Sequence, residues 1–175
     1  MTAWKEDGYR SVTPYITVDD AEAAIAFYAR AFGATENMRL PMGDKIGHAD
    51  IIIGDSHVML SDEFPDMDKL GPNKRGGATA SLMIYVPDVD AAFAKAVAAG
   101  AEIVKPVEDQ FYGDRSGWLK DPFGHEWTLS THVEDVSVRD KPLHHASRGP
   151  PPRSFASGRK YCGLLLSAEP NIVTR

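Results

Sequence analysis

Residues 12–34 read VTPYITVDDAEAAIAFYARAFGA, and residues 81–101 read SLMIYVPDVDAAFAKAVAAGA. Each stretch opens on β-branched and aromatic residues that favour an extended strand. In the first, Pro14 cannot donate to a ladder, which suggests an edge or strand-start position. Each then offers aspartates able to cap a helix, Asp19 and Asp20 in the first and Asp88 in the second. Alanine-rich segments follow. Ile25, Tyr28 and Phe32 recur at helical spacing, as do Phe93 and Val97 on a face shared with Ala96. Gly33 and Gly100 stop the two helices. Val18 corresponds to Val86, Asp20 to Asp88 and Ala24 to Ala92, and Gly33-Ala34 aligns with Gly100-Ala101 after a one-residue slip.

The repeat continues beyond the helices. Strand-like Lys45–Ile53 and Ser56–Ser61 are joined by the turn Gly54-Asp55. In the second half come Glu102–Lys105, Gly117–Lys120 and His125–Ser130, the last two separated by the turn sequence Asp121-Pro122-Phe123-Gly124. Met59-Leu60-Ser61 matches Thr128-Leu129-Ser130. Each half is therefore read as β-α-β-β-β. A separation of about 68 residues is too long for a solenoid and predicts a pseudo-twofold pair. With a helix on one sheet face, the other face must be buried or enclose something. The predicted fold class is α+β: two βαβββ modules forming a curved mixed sheet around a shared cleft, with a C-terminal extension. The modules span residues 10–62 and 80–133 within a domain of residues 1–137. Residues 63–79, rich in charge, glycine and proline, form the linker, and Gly71-Pro72-Asn73-Lys74-Arg75-Gly76-Gly77 within it reads as solvated chain, not a phosphate loop. Residues 138–175 break periodicity and form the extension, with a short strand expected near Tyr161–Leu166 and packing on the body, reaching a partner or partial disorder as its open alternatives.

Composition narrows the function. The 175 residues are 43% hydrophobic and 25% charged, the balance of an ordinary globular protein. The formal net charge of -6 speaks against a nucleic-acid partner, which requires a basic surface. No stretch approaches the length of a membrane span, and the N-terminus lacks the pattern of a signal peptide. The single cysteine, Cys162, excludes an intrachain disulfide and suits a cytoplasmic setting.

Several of these residues carry a family resemblance. Pro14-Tyr15-Ile16-Thr17-Val18-Asp19-Asp20, then Ala24-Ile25-Ala26-Phe27-Tyr28 and Phe32-Gly33-Ala34, resemble the glyoxalase/bleomycin-resistance/extradiol-dioxygenase (vicinal oxygen chelate) superfamily. Gly113-Asp114-Arg115, Asp121-Pro122-Phe123-Gly124-His125 and Ser130-Thr131-His132-Val133-Glu134-Asp135-Val136 look more narrowly like its PhnB-like branch. The resemblance covers residues 10–137. It implies one module from each half, a homodimer, and, in metal-dependent members, a divalent ion held from the first and fourth strands of each module. Those places fall on Thr13, Met59, Ser81 and Thr128. Three hydroxyls and a thioether lack the charge and basicity that a tight divalent site requires, so no cofactor is expected and a divalent metal is disfavoured.

Strand parity then supplies the cleft wall. Tyr15 and Thr17 go with Thr13, His57 and Ser61 with Met59, Met83 and Tyr85 with Ser81, and Glu126, Ser130 and His132 with Thr128. Ligand contacts are expected from Tyr15, Met59, Ser81, Met83, Tyr85, Trp118 and Thr128. Arg115 joins them as a carboxylate- or phosphate-binding side chain, with a local bridge to Asp114 or Glu108 as the alternative. His57 and Glu126 are the candidate acid/base pair. His48 and Asp50 share a face and can pair, His125 reads as a packing or turn residue, Trp127 as core, and His144-His145 as incidental. The leading expectation is a protein of uncharacterised specificity that binds a small organic molecule in the cleft without the conventional metal. The alternatives are a lyase or isomerase using His57 and Glu126 or a displaced metal, and a structural homodimer with a vestigial pocket.

Overall fold

The computed structural model describes residues 4–6 and 8–137, which belong to one compact unit. The extension, including Cys162, the strand expected near Tyr161–Leu166 and His144-His145, lies outside the described residues.

In the first module a short strand β1 (Tyr15–Val18) leads into helix α1 (Ala21–Phe32), followed by β2 (Thr35–Met42), β3 (Lys45–Ile53) and β4 (Ser56–Asp62). After a one-turn helix α2 (Pro72–Arg75) the pattern repeats as β5 (Ser81–Tyr85), α3 (Val89–Ala99), β6 (Glu102–Asp109), β7 (Asp114–Lys120) and β8 (Glu126–His132). The strand orders, β1-β4-β3-β2 and β5-β8-β7-β6, are the same in the two halves. In each sheet the first and fourth strands pair in parallel and the others antiparallel, giving two mixed four-stranded sheets. The duplicated βαβββ architecture is therefore present.

The helix boundaries follow the capping chemistry. Asp20 accepts from the Ala23 amide at 2.9 Å and Asp88 from the Ala91 amide at 3.0 Å. Gly33 and Gly100 both take the left-handed conformation that ends a helix at little cost. Other boundaries differ from the sequence reading. β1 starts after Pro14, because the proline has no N–H for the ladder, although its carbonyl accepts from Met59 N at 2.9 Å. β2 is additional to the strands read from sequence: Met38, Leu40 and Met42 alternate with Arg39 and Pro41, a strand signal weakened by the proline, and all residues of the strand are exposed. The linker holds α2 and a 3-10 turn at Pro65–Met67.

The core gathers Ile16, Val18, Ile51, Val58 and Leu60 of the first sheet with Tyr28 of α1, and Leu119, Trp127 and Leu129 of the second sheet. The turn Asp121-Pro122-Phe123-Gly124 joins the halves. Tyr28 Oη donates to Asp121 Oδ2 at 2.7 Å and Trp127 Nε1 donates to the same oxygen at 2.8 Å. Burial and the adjacent Asp121 carboxylate push the Tyr28 phenol well above its ordinary value. His125 Nε2 meets the Thr17 carbonyl at 3.0 Å, a second polar tie between modules. No helix among the described residues is long and apolar enough to cross a membrane.

Candidate functional site

Each sheet packs its helix on one face and leaves the other face open. Register identifies that open face residue by residue. In the first module Tyr15 and Asp50 both lie opposite Met59, Thr17 lies opposite Ser61, and His57 lies opposite Ile52. In the second module Ser81 and Lys120 flank Glu126, Met83 and Trp118 flank Thr128, and Tyr85 and Ser116 flank Ser130. Side chains directly opposed on neighbouring strands share a face, so these rows lie on the face away from the helix, where Asp50, Ser61, Ser116 and Ser130 are buried and Tyr15, Met83, Tyr85 and Trp118 are exposed.

The first open face carries a buried polar cluster. Asp50 is 0% exposed. Its Oδ2 meets Tyr9 Oη at 2.8 Å, Asn37 Nδ2 at 2.7 Å and His57 Nδ1 at 2.7 Å. Among the described residues, no partner meets its buried Oδ1. Burial works to raise the Asp50 carboxyl, but the hydrogen bonds from Asn37, His57 and Tyr9 outweigh it and hold the group below its ordinary value. The Tyr9 ring stacks on His57 with centroids 4.0 Å apart. The expected His48–Asp50 pair is therefore corrected. Asp50 is taken by His57, Tyr9 and Asn37, while His48 Nδ1 lies 3.0 Å from Tyr15 Oη. The two residues share a face, but Asp50 is covered by the segment around Tyr9, and His48 stands beside the exposed Tyr15.

The second open face is more accessible. Met83 and Trp118 are each 47% exposed and Tyr85 is 63% exposed. A cavity of about 280 Å³ is lined by Ser81, Met83, Tyr112, Trp118, Glu126 and Thr128. Lys105 Nζ sits 5.3 Å from the Trp118 ring centroid, a cation–π contact that steadies one side of the indole. Beyond the cavity, buried Asp114 accepts from Tyr85 Oη at 3.0 Å and Ser130 Oγ at 3.1 Å, and its Oδ1 meets His132 Nδ1 at 2.8 Å. Burial opposes ionisation of Asp114, yet these partners keep its carboxyl below the ordinary value. His132 is raised by its hydrogen bonds to Asp114 and Asp135. Tyr85 is raised chiefly by its bond to Asp114.

The expected site residues thus separate into groups. Ser81, Met83, Trp118, Thr128 and Glu126 gather at the second-module cavity. Tyr15 and Met59 stand side by side on the first open face. His57 lies at a different cavity from Glu126, and among the described residues no hydrogen bond or ion pair joins the two. Arg115 lies opposite Thr131, one position out of phase with the open-face rows. Its guanidinium grips Asp90 bidentately at 2.8 Å and 2.8 Å and Asp109 at 2.9 Å, and neither Asp114 nor Glu108 is its partner.

The Asp50–His57 and Asp114–His132 pairs were absent from the sequence reading. The first had a usable signal: the Gly54-Asp55 turn sets Ile53 opposite Ser56, which brings Asp50 diagonally next to His57. The second lies at the far end of the β7–β8 hairpin, where the Asp121–His125 turn sets Lys120 opposite Glu126 and the ladder carries that register to Asp114 opposite His132.

The four places that the family resemblance assigns to a divalent ion, Thr13, Met59, Ser81 and Thr128, carry no charged donor. Met59 stands between Tyr15 and Asp50, Thr128 between Met83 and Trp118, and the Thr13 hydroxyl bonds the Arg10 carbonyl at 3.2 Å. Neutral hydroxyl and thioether donors do not fit a tightly held divalent cation.

A duplicated βαβββ unit with paired open sheet faces defines a vicinal-oxygen-chelate type of protein. Residues 10–129 match the model of the Glyoxalase/Bleomycin resistance protein/Dioxygenase superfamily, and the chain belongs to that superfamily. It is 41% identical over 143 residues to protein Rv0887c of Mycobacterium tuberculosis (strain ATCC 25618 / H37Rv), covering 79% of this chain and 84% of that protein. Among solved structures it is similar to TioX from Micromonospora sp. ML1, with 28% identity, a TM-score of 0.55, and coverage of 73% of this chain and 100% of that one. It also resembles an Arabidopsis thaliana gene product, At5g48480, with 26% identity, a TM-score of 0.58, and coverage of 70% and 98%.

Proposed function

We propose that this chain is a PhnB-like member of the superfamily that binds a small, largely apolar organic molecule against the open face of its second module, without the conventional divalent metal. The observation that carries the reading is the cavity floored by Met83, Thr128 and Trp118, where an aromatic ring, a thioether and hydroxyls are accessible together. Apolar walls with a few polar groups suit an organic ligand. The separation of His57 from Glu126 favours binding over acid/base chemistry by that pair. Gly113-Asp114-Arg115 and the Asp121-Pro122-Phe123-Gly124-His125 turn support the PhnB-like branch.

We also propose a homodimer in the cytoplasm. Tyr15, Leu40, Met42, Met83 and Tyr85 leave large apolar or aromatic surface uncovered, and a second copy would bury it. The test of binding is fluorescence of Trp118 during titration with planar organic compounds, in wild type and Trp118→Phe. A saturable change that the variant loses supports the reading. No response across chemically varied compounds, or an unchanged response in the variant, refutes it. Light scattering reads the dimer: twice the 19.1 kDa chain mass is expected, and a monomer at all concentrations overturns that part.

A further inference from the structure

The second sheet arranges its charges in rows across the strands. Glu102, Lys120 and Glu126 lie opposite one another on β6, β7 and β8, and in the next row Lys105 lies opposite Trp118 and Trp118 opposite Thr128. Both ammonium groups of these rows are already engaged. Lys120 Nζ bonds Glu102 Oε2 at 2.7 Å, and Lys105 Nζ pairs with Glu108. Glu126 is left over. It is exposed, and among the described residues no hydrogen bond or ion pair takes its carboxylate.

Glu126 lines the cavity of about 280 Å³, and no lysine, arginine or histidine is among the described residues that line it. The lining therefore carries one formal charge, and that charge is negative. Tyr112, Trp118 and Met83 share the wall with it. The faces of aromatic rings carry negative potential and attract a cation, and the thioether adds a soft, polarisable surface. Trp118 already holds one cation, with Lys105 Nζ 5.3 Å from its ring centroid. Lys105 does not line the cavity, and Trp118 is still 47% exposed, so indole surface remains for a ligand. A bare divalent ion finds too few charged oxygens in one carboxylate. A primary ammonium would lose hydration that aromatic walls do not replace. A substituted ammonium spreads its charge over carbon groups and suits such walls. A dry cavity of about 150 Å³ admits benzene, so this one has room for a single ring with a substituted ammonium attached. The net charge of -6 favours the approach of a cation.

We propose that the second-module cavity selects an apolar organic cation, a tertiary or quaternary ammonium carried on about one aromatic ring, with Glu126 as its counter-ion and Trp118 and Tyr112 against its body. This rests on the reading of that cavity as an organic-ligand site and adds the charge class of the ligand. A neutral molecule of the same size gains the apolar contacts but leaves the Glu126 charge unanswered. An anion meets that charge directly and finds no free ammonium beside it, because Glu102 and Glu108 hold the two lysines. Glu126 is thus a specificity-determining residue, and its part is electrostatic.

The probes are benzyltrimethylammonium, benzyl alcohol and phenylacetate, one ring bearing a positive, neutral or negative group whose charge is fixed at neutral pH. Each is titrated into the full chain at low salt, and binding is followed by the indole N–H resonance of Trp118 in NMR spectra, identified by its loss in Trp118→Phe. The expected order of affinity is cation, then alcohol, then anion. Glu126→Gln should weaken the cation roughly three- to fivefold, the scale of an exposed ion pair, and move the alcohol by less than about twofold. That comparison cancels the difference in size between the two probes. Glu126→Asp keeps the charge and should keep the order, and added salt should narrow it. A cation bound no more tightly than the alcohol, or a preference that survives Glu126→Gln, overturns the proposal. In either case an alcohol that still saturates the Trp118 shift leaves the organic-ligand reading standing. A Trp118 resonance unmoved by all three probes at millimolar concentration also overturns the proposal, while the organic-ligand reading then falls only if the wider set of compounds fails as well.

Discussion

Asp121→Asn removes one charge and alters no volume, yet the structure requires it to be strongly destabilising. Asp121 is 3% exposed and receives four hydrogen bonds. Oδ1 accepts the Phe123 and His125 amides, each at 2.9 Å, which shapes the turn. Oδ2 accepts Tyr28 Oη at 2.7 Å and Trp127 Nε1 at 2.8 Å, which ties α1 of the first module to the second sheet. An asparagine can keep its carbonyl at the turn, but its amide then points hydrogens at two donors. The Tyr28 hydroxyl can rotate and accept, whereas the indole N–H cannot. One buried donor left unsatisfied costs about 1–3 kcal/mol, and replacing charge-assisted bonds by neutral ones adds about 1 kcal/mol. The expected loss is about 2–4 kcal/mol, or roughly 5–15 °C in Tm for a chain of this size. Urea unfolding followed by far-UV circular dichroism measures it. Trp127→Phe provides the internal check, because it deletes the stranded donor. The two substitutions should couple by about 1–2 kcal/mol, so that Trp127→Phe harms the Asp121→Asn background less than wild type. If Asp121→Asn lies within about 0.5 kcal/mol of wild type, or the double variant is additive, the polar tie between modules is not what this geometry says it is.

Gly117→Ala should destabilise by about 1–3 kcal/mol in the same urea assay, because the added Cβ would fall 2.5 Å from Phe93 Cε2 and 2.9 Å from Val107 Cγ2 in a packed core. The His132 imidazole should titrate above its ordinary 6.5 by NMR, and Asp114→Asn should bring it down. Its stabilisation is complete below the ordinary value and lost as pH rises through the raised one. For Asp114 the sense is opposite: stabilisation is present above the ordinary 3.8 and lost as pH falls through the depressed value. Nickel or zinc added to purified protein should give no stoichiometric high-affinity binding dependent on Thr13, Met59, Ser81 or Thr128, which isothermal calorimetry on the wild type and Met59→Leu would read.

How legible the site was depends on the distance over which its partners were set. Ser81 with Met83, and Glu126 with Thr128, could be assembled from parity because strand geometry forces alternate residues onto one face. Parity also put His48 and Asp50 on one face, but it could not say that the segment around Tyr9 would cover Asp50 and deliver a tyrosine to it. Arg115 shows the same limit. Its residue type suggested anion recognition, and the fold brings it Asp90 from α3 and Asp109 from β6 as partners, a choice made by packing between elements.

By itself, the amino-acid order determined the duplicated βαβββ unit, since capping aspartates, helical spacing and glycine stops act within a few residues of one another. It also determined the neutral donor set at the four conventional metal places, because chemistry there is read from residue identity alone. Tertiary structure decided which titratable groups meet. Asp50 found His57 across an antiparallel pair, and Asp114 found His132 across another. Asp121 found Tyr28 at a sequence distance of 93 residues. A carboxylate buried away from water must take the nearest donors, and which donors are nearest is settled only when the sheets and helices pack.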